Sequence, residues 1–166
     1  GVVECRVDGM PAGVGEPVFD KLDASLAKAL MSIGAVKAVE IGDGCAVSSS
    51  TGTQNNDPFL SEDGRITKKS NHAGGILGGI SDGSPIIVRA HIKPTPSVFS
   101  PQETVNKNGE NILVRIKGRH DPVIVPRAVV VVEAMTALTL VDLLFAGMPS
   151  RMEGLRRFYG CPSEQD

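Results

Sequence analysis

PIIVRAHIK, residues 85–93, alternates without a break. Ile86, Val88, Ala90 and Ile92 fall on one face, and Ile87, Arg89, His91 and Lys93 on the other. Successive side chains of a strand point to opposite faces, so this period of two marks a strand with one apolar and one wet side. Strands of that kind belong to antiparallel sheets with one face covered. The expected class is therefore α+β: an antiparallel β-sheet packed on long helices that lie on one face.

Outward from this run, residues 2–7 and 36–41 also read as strands. Between them Gly9, Pro11, Gly13, Gly15 and Pro17 punctuate a loop. Val18, Leu22, Leu26, Leu30 and Ile33 then recur at spacings of four and three, one apolar face of a helix starting at Val18. Asp20 and Asp23 lie early and Lys28 late, as the helix dipole favours, and Gly34 is the expected stop. GDG at 42–44 is a turn, with 45–49 as the candidate partner strand of 36–41. Residues 48–70 are polar, broken by Pro58 and Gly64, and read as a long flexible loop. A second alternating strand at 111–117 makes 85–117 hairpin-like. Residues 128–146 form the longest helix candidate; four β-branched residues at 129–132 oppose it locally, while its length and its Met- and Leu-rich second half favour it. Gly147 and Pro149 end it, and 149–166 is a basic tail. The whole of 1–166 is expected to be a single domain.

Composition narrows the function classes. Net charge is −2, so nothing draws the chain toward nucleic acid or an anionic membrane. There is no Trp and one Tyr, which leaves little for base stacking. Cys5, Cys45 and Cys161 are widely spaced and show neither a metal-ligand nor a disulfide pattern; they read as reduced thiols of a cytoplasmic protein. The apolar stretch 123–148 contains Pro126, Arg127, Glu133 and Asp142, each costly in hydrocarbon, and reads as a buried core helix. The chain opens at Gly1, directly in a strand-like run without an initiator Met, which is the expectation for a piece of a longer polypeptide.

Three constellations could carry chemistry. NHAGGILGGISDG (71–83) concentrates five glycines, yet lacks both the GxGxxG order of a dinucleotide fold and the GK[ST] of a phosphate loop. Its glycines permit either tight packing of backbone on backbone or close approach of a ligand, and local chemistry does not choose between them. GRHDP (118–122) offers Arg119 for bidentate anion contacts and Asp121 as a proton acceptor, or simply a polar turn before a helix. Lys93 with Thr95 and Ser97 forms an anion cradle or an ordinary loop. His72 alone carries no role.

Taken in order, GEPVFDKLDASLAKALMSIGAVKAVEIGDG (15–44), SNHAGGILGGISDG (70–83), KPTPS (93–97) and GRHDPVIVPRAVVVVEAM (118–135) closely resemble chorismate synthases of the bacterial type, over about residues 2–146. The resemblance implies an anti 1,4-elimination of phosphate from 5-enolpyruvylshikimate 3-phosphate to chorismate. It implies reduced FMN as cofactor, with NADPH alongside, and a cytoplasmic homotetramer built as a β-α-β sandwich, of which this chain is half. It places Gly34, Ala35, Gly78, Lys93, Pro94, Thr95, Pro96, Ser97 and Arg119 at the flavin, and Asp121 beside the flavin N5 as a catalytic residue together with Arg119. Gly34 stands where the family commonly has Asn, which removes a side-chain contact. The two catalytic histidines of the family's N-terminal half have no match here, so the chain reads as the C-terminal half. It is expected to be inactive alone, or to act as a non-catalytic flavin-binding or oligomerising fragment.

Overall fold

The computed structural model describes residues 1–119, 121–148 and 154. Its centre is the alternating run. Strand β7 (Ile86–Ile92) lies between β1 (Val2–Val7) and β2 (Val36–Ile41) and is antiparallel to both. Val3 and Val39 flank Ala90, and Cys5 and Ile41 flank Val88, so the apolar positions of all three strands share one face. Ile86, Val88, Ala90 and Ile92 are all buried, as their alternation demands. A bulge at the start of β2 lets the chain enter the sheet between Val36 and Ala38.

Two helices cover that face: α1 (Leu22–Met31) and α3 (Val125–Gly147). They run in opposite directions across two apolar clusters. Leu22 and Leu26 of α1 join Leu140 and Leu143 of α3 around Ile86, Ile76 and Met10. Leu30 joins Val132 around Val88, Ala90 and Ile92, with Ala35, Ile124 and Val125 packed against them. The first cluster lies under the glycine-rich segment. The second lies under the end of the sheet from which Lys93 departs.

Several expectations give way. The helix begins at Leu22 rather than Val18, because Phe19 adopts φ +58° and Asp20 bonds back to Val18 in a turn. Val18 itself is exposed. Residues Gly44–Ser49 form a 3-10 turn, not a strand partner for β2; that edge faces β7 instead. Within 48–70 stand the short helix α2 (Gly52–Asn55), closed by a Thr51–Gln54 capping box, and the hairpin of β3 (Phe59–Glu62) with β4 (Arg65–Lys68). The expected 85–117 hairpin is absent: β7 is taken by β1 and β2, and β9 (Asn111–Val114) pairs with β8 (Gln102–Val105). The 149–166 tail lies outside the described residues, apart from Gly154.

Helix α3 is long and apolar enough to cross a membrane by length and composition. It is not the buried core helix its composition predicts. Val132, Thr136, Leu140 and Leu143 are buried, while Val129, Val130, Leu138, Val141 and Phe145 stand exposed. An all-round apolar helix reads as enclosed, but α1 and β1 cover one side of it only.

Leu26 is fully buried between sheet and helices. Leu26→Ala is expected to cost about 2–5 kcal/mol of stability, read as a lowered urea midpoint with an unchanged slope.

Candidate functional site

The second apolar cluster carries a group of sequence-predicted residues on its rim. After α1 the chain makes a turn closed by the Val36 N–H donating to the Ile33 carbonyl at 3.2 Å. Ala35 occupies its third position with φ +73°, the value a type II turn needs and usually fills with glycine. Gly34, by contrast, is exposed at a position with no positive φ. The Ala35 carbonyl then accepts the Lys93 N–H at 2.9 Å. One backbone bond thus joins the Gly34–Ala35 turn to the first residue of KPTPS.

Within that loop Lys93, Pro94 and Pro96 are exposed, and Thr95 and Ser97 are half-buried. The Lys93 ammonium has no carboxylate partner among the described residues. The Thr95 hydroxyl is shielded from solvent yet has no hydrogen-bond partner. A shielded, unpaired hydroxyl is costly, and on a loop that also carries an unpaired lysine it is a donor suited to an anion. Gln102 Nε2 donates to the Pro96 carbonyl at 2.9 Å and ties the loop to β8.

The start of α3 reaches the same end of the sheet. The Gly1 amine donates to the Ile92 carbonyl at 2.9 Å, and Gly1 lies against Val125. Just before α3, Asp121 receives a 2.6 Å bond from Arg127 Nη1 on the helix's first turn. Both side chains are substantially exposed. Arg119 is exposed and without a partner among the described residues. His120 lies outside them.

Gly78 stands elsewhere. It forms with Gly79 the two-residue turn between β5 (Ile76–Leu77) and β6 (Ile80–Ser81), at φ +60° and +85°, as a type I′ hairpin requires. The Gly79 carbonyl accepts the Leu22 N–H at 2.8 Å. Gly78 is therefore at the start of α1 and Ala35 beyond its end, about 15 Å apart along a ten-residue helix. Nothing lies within 4 Å of where a Gly78 Cβ would point. Elsewhere in the segment the glycines serve the fold: Gly74 crosses Gly42 backbone to backbone, leaving no room for a Cβ on either.

Sequence reasoning missed what holds this segment. Lys68 Nζ lies 2.7 Å from Asp82 and 3.6 Å from Asp57, with all three side chains under a tenth exposed. Asp57 also accepts the N–H groups of His72 and Ala73 and the Ser70 hydroxyl. Burial pushes its carboxyl up, but these donors and Lys68 outweigh it and bring it down to about 2. Asp82 is lowered likewise, by Lys68 and Ser84 against burial. On the other sheet face the Cys45 backbone N–H and His91 hold Glu40 down at about 2. No period or motif marks Lys68 or Asp57; only folding brings them together across the chain.

Comparison with known proteins settles the family. A sequence model described as chorismate synthase matches residues 1–145. The chain belongs to the chorismate synthase family. A chorismate synthase of Lachnospira eligens is 65% identical over 159 residues, covering 96% of this chain and 43% of that protein. One of Lachnoclostridium phytofermentans is 64% identical over 160 residues, covering 96% and 44%. A crystal structure of a chorismate synthase superposes with a TM-score of 0.72 at 32% identity, over 96% of this chain and 41% of that one. The chain thus spans less than half the length of the relatives it matches, and its α+β architecture is that of part of the family fold.

Glu40, Asp57 and Asp82 are all more acidic folded than unfolded. Their contribution is complete above the unfolded carboxylate values near pH 4 and drains as pH falls toward 2. The urea midpoint is expected to hold from pH 7 to about 5 and then fall steadily; a midpoint flat down to pH 2.5 would contradict the assignment.

Proposed function

We propose that this chain is the flavin-binding part of a cytoplasmic, homotetrameric chorismate synthase. That enzyme converts 5-enolpyruvylshikimate 3-phosphate to chorismate by anti 1,4-elimination of phosphate with reduced FMN. The observation that carries the reading is the unpaired, shielded Thr95 hydroxyl on the loop opened by Lys93, which has no carboxylate partner among the described residues, a loop tied to the strained Ala35 turn. Together they fit the anionic end of such a cofactor: a cation, a hydroxyl donor and a backbone turn without bulky side chains. A strained non-glycine residue at the same spot agrees with a functional role.

When bound, reduced FMN is the source of electron density for the ring carbon from which phosphate departs. This chain's residues hold and orient. Lys93, Thr95 and Ser97 grip the phosphate end, with Pro94 and Pro96 restricting the loop. Gly34 and Ala35 present backbone. Arg119 offers an unpaired guanidinium to anionic groups. Asp121 keeps a carboxylate oxygen for the proton near the flavin N5, while Arg127 fixes its other oxygen. Gly78, at the far end of α1, would present open backbone to the ring end of the same cofactor.

Flavin fluorescence titration tests the reading. The 166-residue chain is expected to bind FMN, and Lys93→Ala to weaken binding roughly tenfold or more. Equal affinity for both proteins would remove Lys93 from the site. Because Gly78 sits at φ +60°, Gly78→Asn is the fair probe there, since Asn tolerates that region; it is expected to weaken FMN binding while lowering the unfolding free energy by no more than about 1 kcal/mol. In a turnover assay with reduced FMN the chain alone is expected to make no chorismate, and robust formation would overturn the assignment of the missing groups to the rest of the enzyme.

A further inference from the structure

The glycine-rich segment cannot hold its own shape. Gly74, Gly75, Gly78, Gly79 and Gly83 all have positive φ, and β5 and β6 have two residues each. Its conformation is imposed from outside, by backbone bonds to Leu22, Asp43 and Ile87 and by two side-chain groups. On one side the buried Ser81 hydroxyl accepts the Val14 N–H at 2.9 Å and donates to the Pro11 carbonyl at 2.6 Å. On the other stands the Lys68 cluster. Lys68 Nζ meets Asp82 at 2.7 Å and Asn71 Oδ1 at 3.5 Å. Asn71 accepts the Gly75 N–H at 2.8 Å and donates to the Pro85 carbonyl at 2.8 Å. Asp82 accepts the Ser84 N–H at 2.9 Å. Asp57 takes the N–H groups of His72 and Ala73 at 2.8 and 2.9 Å. Both ends of the segment are thus bound to one ammonium.

Such a cluster is a poor way to stabilise a fold. Burying an ammonium with two carboxylates costs desolvation that the attraction barely returns, and apolar replacements are often neutral or better. The other ion pairs among the described residues are more exposed. Here the cluster sits where a glycine-rich backbone must be set and where Ile76 is the one apolar side chain of the segment buried in the core.

We propose that Lys68 is a positioning residue: clasped by Asp57 and Asp82, it fixes the Asn71–Gly83 backbone and so the direction in which the Gly78–Gly79 turn faces. The functional weight of this rests on the reading of Gly78 as one wall of the flavin site, while the clasp itself stands on the geometry above. The β3–β4 hairpin, which carries Lys68, is thereby coupled to the turn, so displacing the hairpin displaces the turn.

The test uses the 166-residue chain, Lys68→Met, and Lys68→Met with Asp82→Asn. Lys68→Met leaves two buried carboxylates without their cation and is expected to lower the thermal midpoint; the double variant relieves one charge and is expected to recover most of it. Amide exchange at Gly75, Leu77, Ile80 and Ser84 is expected to quicken about tenfold or more in both variants, with β7 and α1 changed less than about twofold in the double variant. The Gly78 and Gly79 amide resonances shift in both. Recovered exchange and unshifted glycine resonances in the stable double variant would overturn the proposal, since Lys68 would then matter for stability alone. Exchange quickened equally in β7 would overturn it too. FMN titration of the same proteins is expected to show weaker binding by the double variant, and unchanged affinity would remove the flavin consequence. Failure of the unmodified chain to bind FMN would sink the flavin reading, with the exchange and resonance data still deciding the clasp.

Discussion

The burial of one face of β7 is the constraint on which the rest depends. Ile86, Val88, Ala90 and Ile92 are nearly sealed from solvent, and each end of that row has its own apolar cluster. Because β1 and β2 both pair with this strand, its register fixes theirs; a one-residue slip would turn Arg89 and His91 into the core. Arg89 instead reaches Glu4 and the Gly42 carbonyl, and His91 reaches Glu40. The wet face is stitched across the three strands by the Arg89–Glu4 ion pair and the His91–Glu40 hydrogen bond, while the dry face carries the helices. The strand also sets the distance between the two candidate regions: the glycine segment leads through Ser84 and Pro85 into its first residue and the Lys93 loop leaves its last.

The two ends solve the same problem differently. At the Lys93 end, apolar packing beneath the turn supports a strained Ala35 and leaves polar groups unpaired above it. At the glycine end there are few side chains to pack, and backbone bonds together with the Lys68 cluster hold the segment. Gly42 and Gly74 cross so closely that any side chain would collide with backbone, and the crossing is locked by the Asp43 N–H donating to the His72 carbonyl at 2.8 Å. Close backbone approach excludes apolar fill, and what remains to order such a segment is hydrogen bonding from carboxylates and amides.

What was legible in the sequence follows from this contrast. Strand β7, its two neighbours and the apolar stripe of α1 could be read because burial on one face writes a period into the chain. The two alternatives for the glycine stretch could be stated but not resolved: Gly74 proved to be packing and Gly78 open. The 3-10 turn at Gly44–Ser49 was misread because short apolar–polar runs carry no period long enough to separate strand from turn. The hairpin inside 48–70 was hidden by its exposure, since Phe59, Leu60 and Ile66 all face solvent and leave no buried face to detect. The Asp57–Lys68–Asp82 cluster joins residues up to 25 positions apart, and nothing in composition distinguishes Lys68 from its exposed neighbour Lys69.

Helix α3 departs furthest from what its composition predicts, a buried core helix. Its apolar residues do not form a stripe; Val129, Val130 and Val131 are consecutive, and Leu138, Val141 and Phe145 lie away from the buried row of Val132, Thr136, Leu140 and Leu143. A helix serving a single sheet would replace those outer residues with charges, because nothing is gained by leaving them in water. Their persistence is the pattern of a helix with cover on more than one side, and here α1 and β1 supply one. The same helix starts just after Asp121 and carries Arg127 in its first turn, so its buried row links the cluster at the Lys93 end of the sheet to the one at the glycine end.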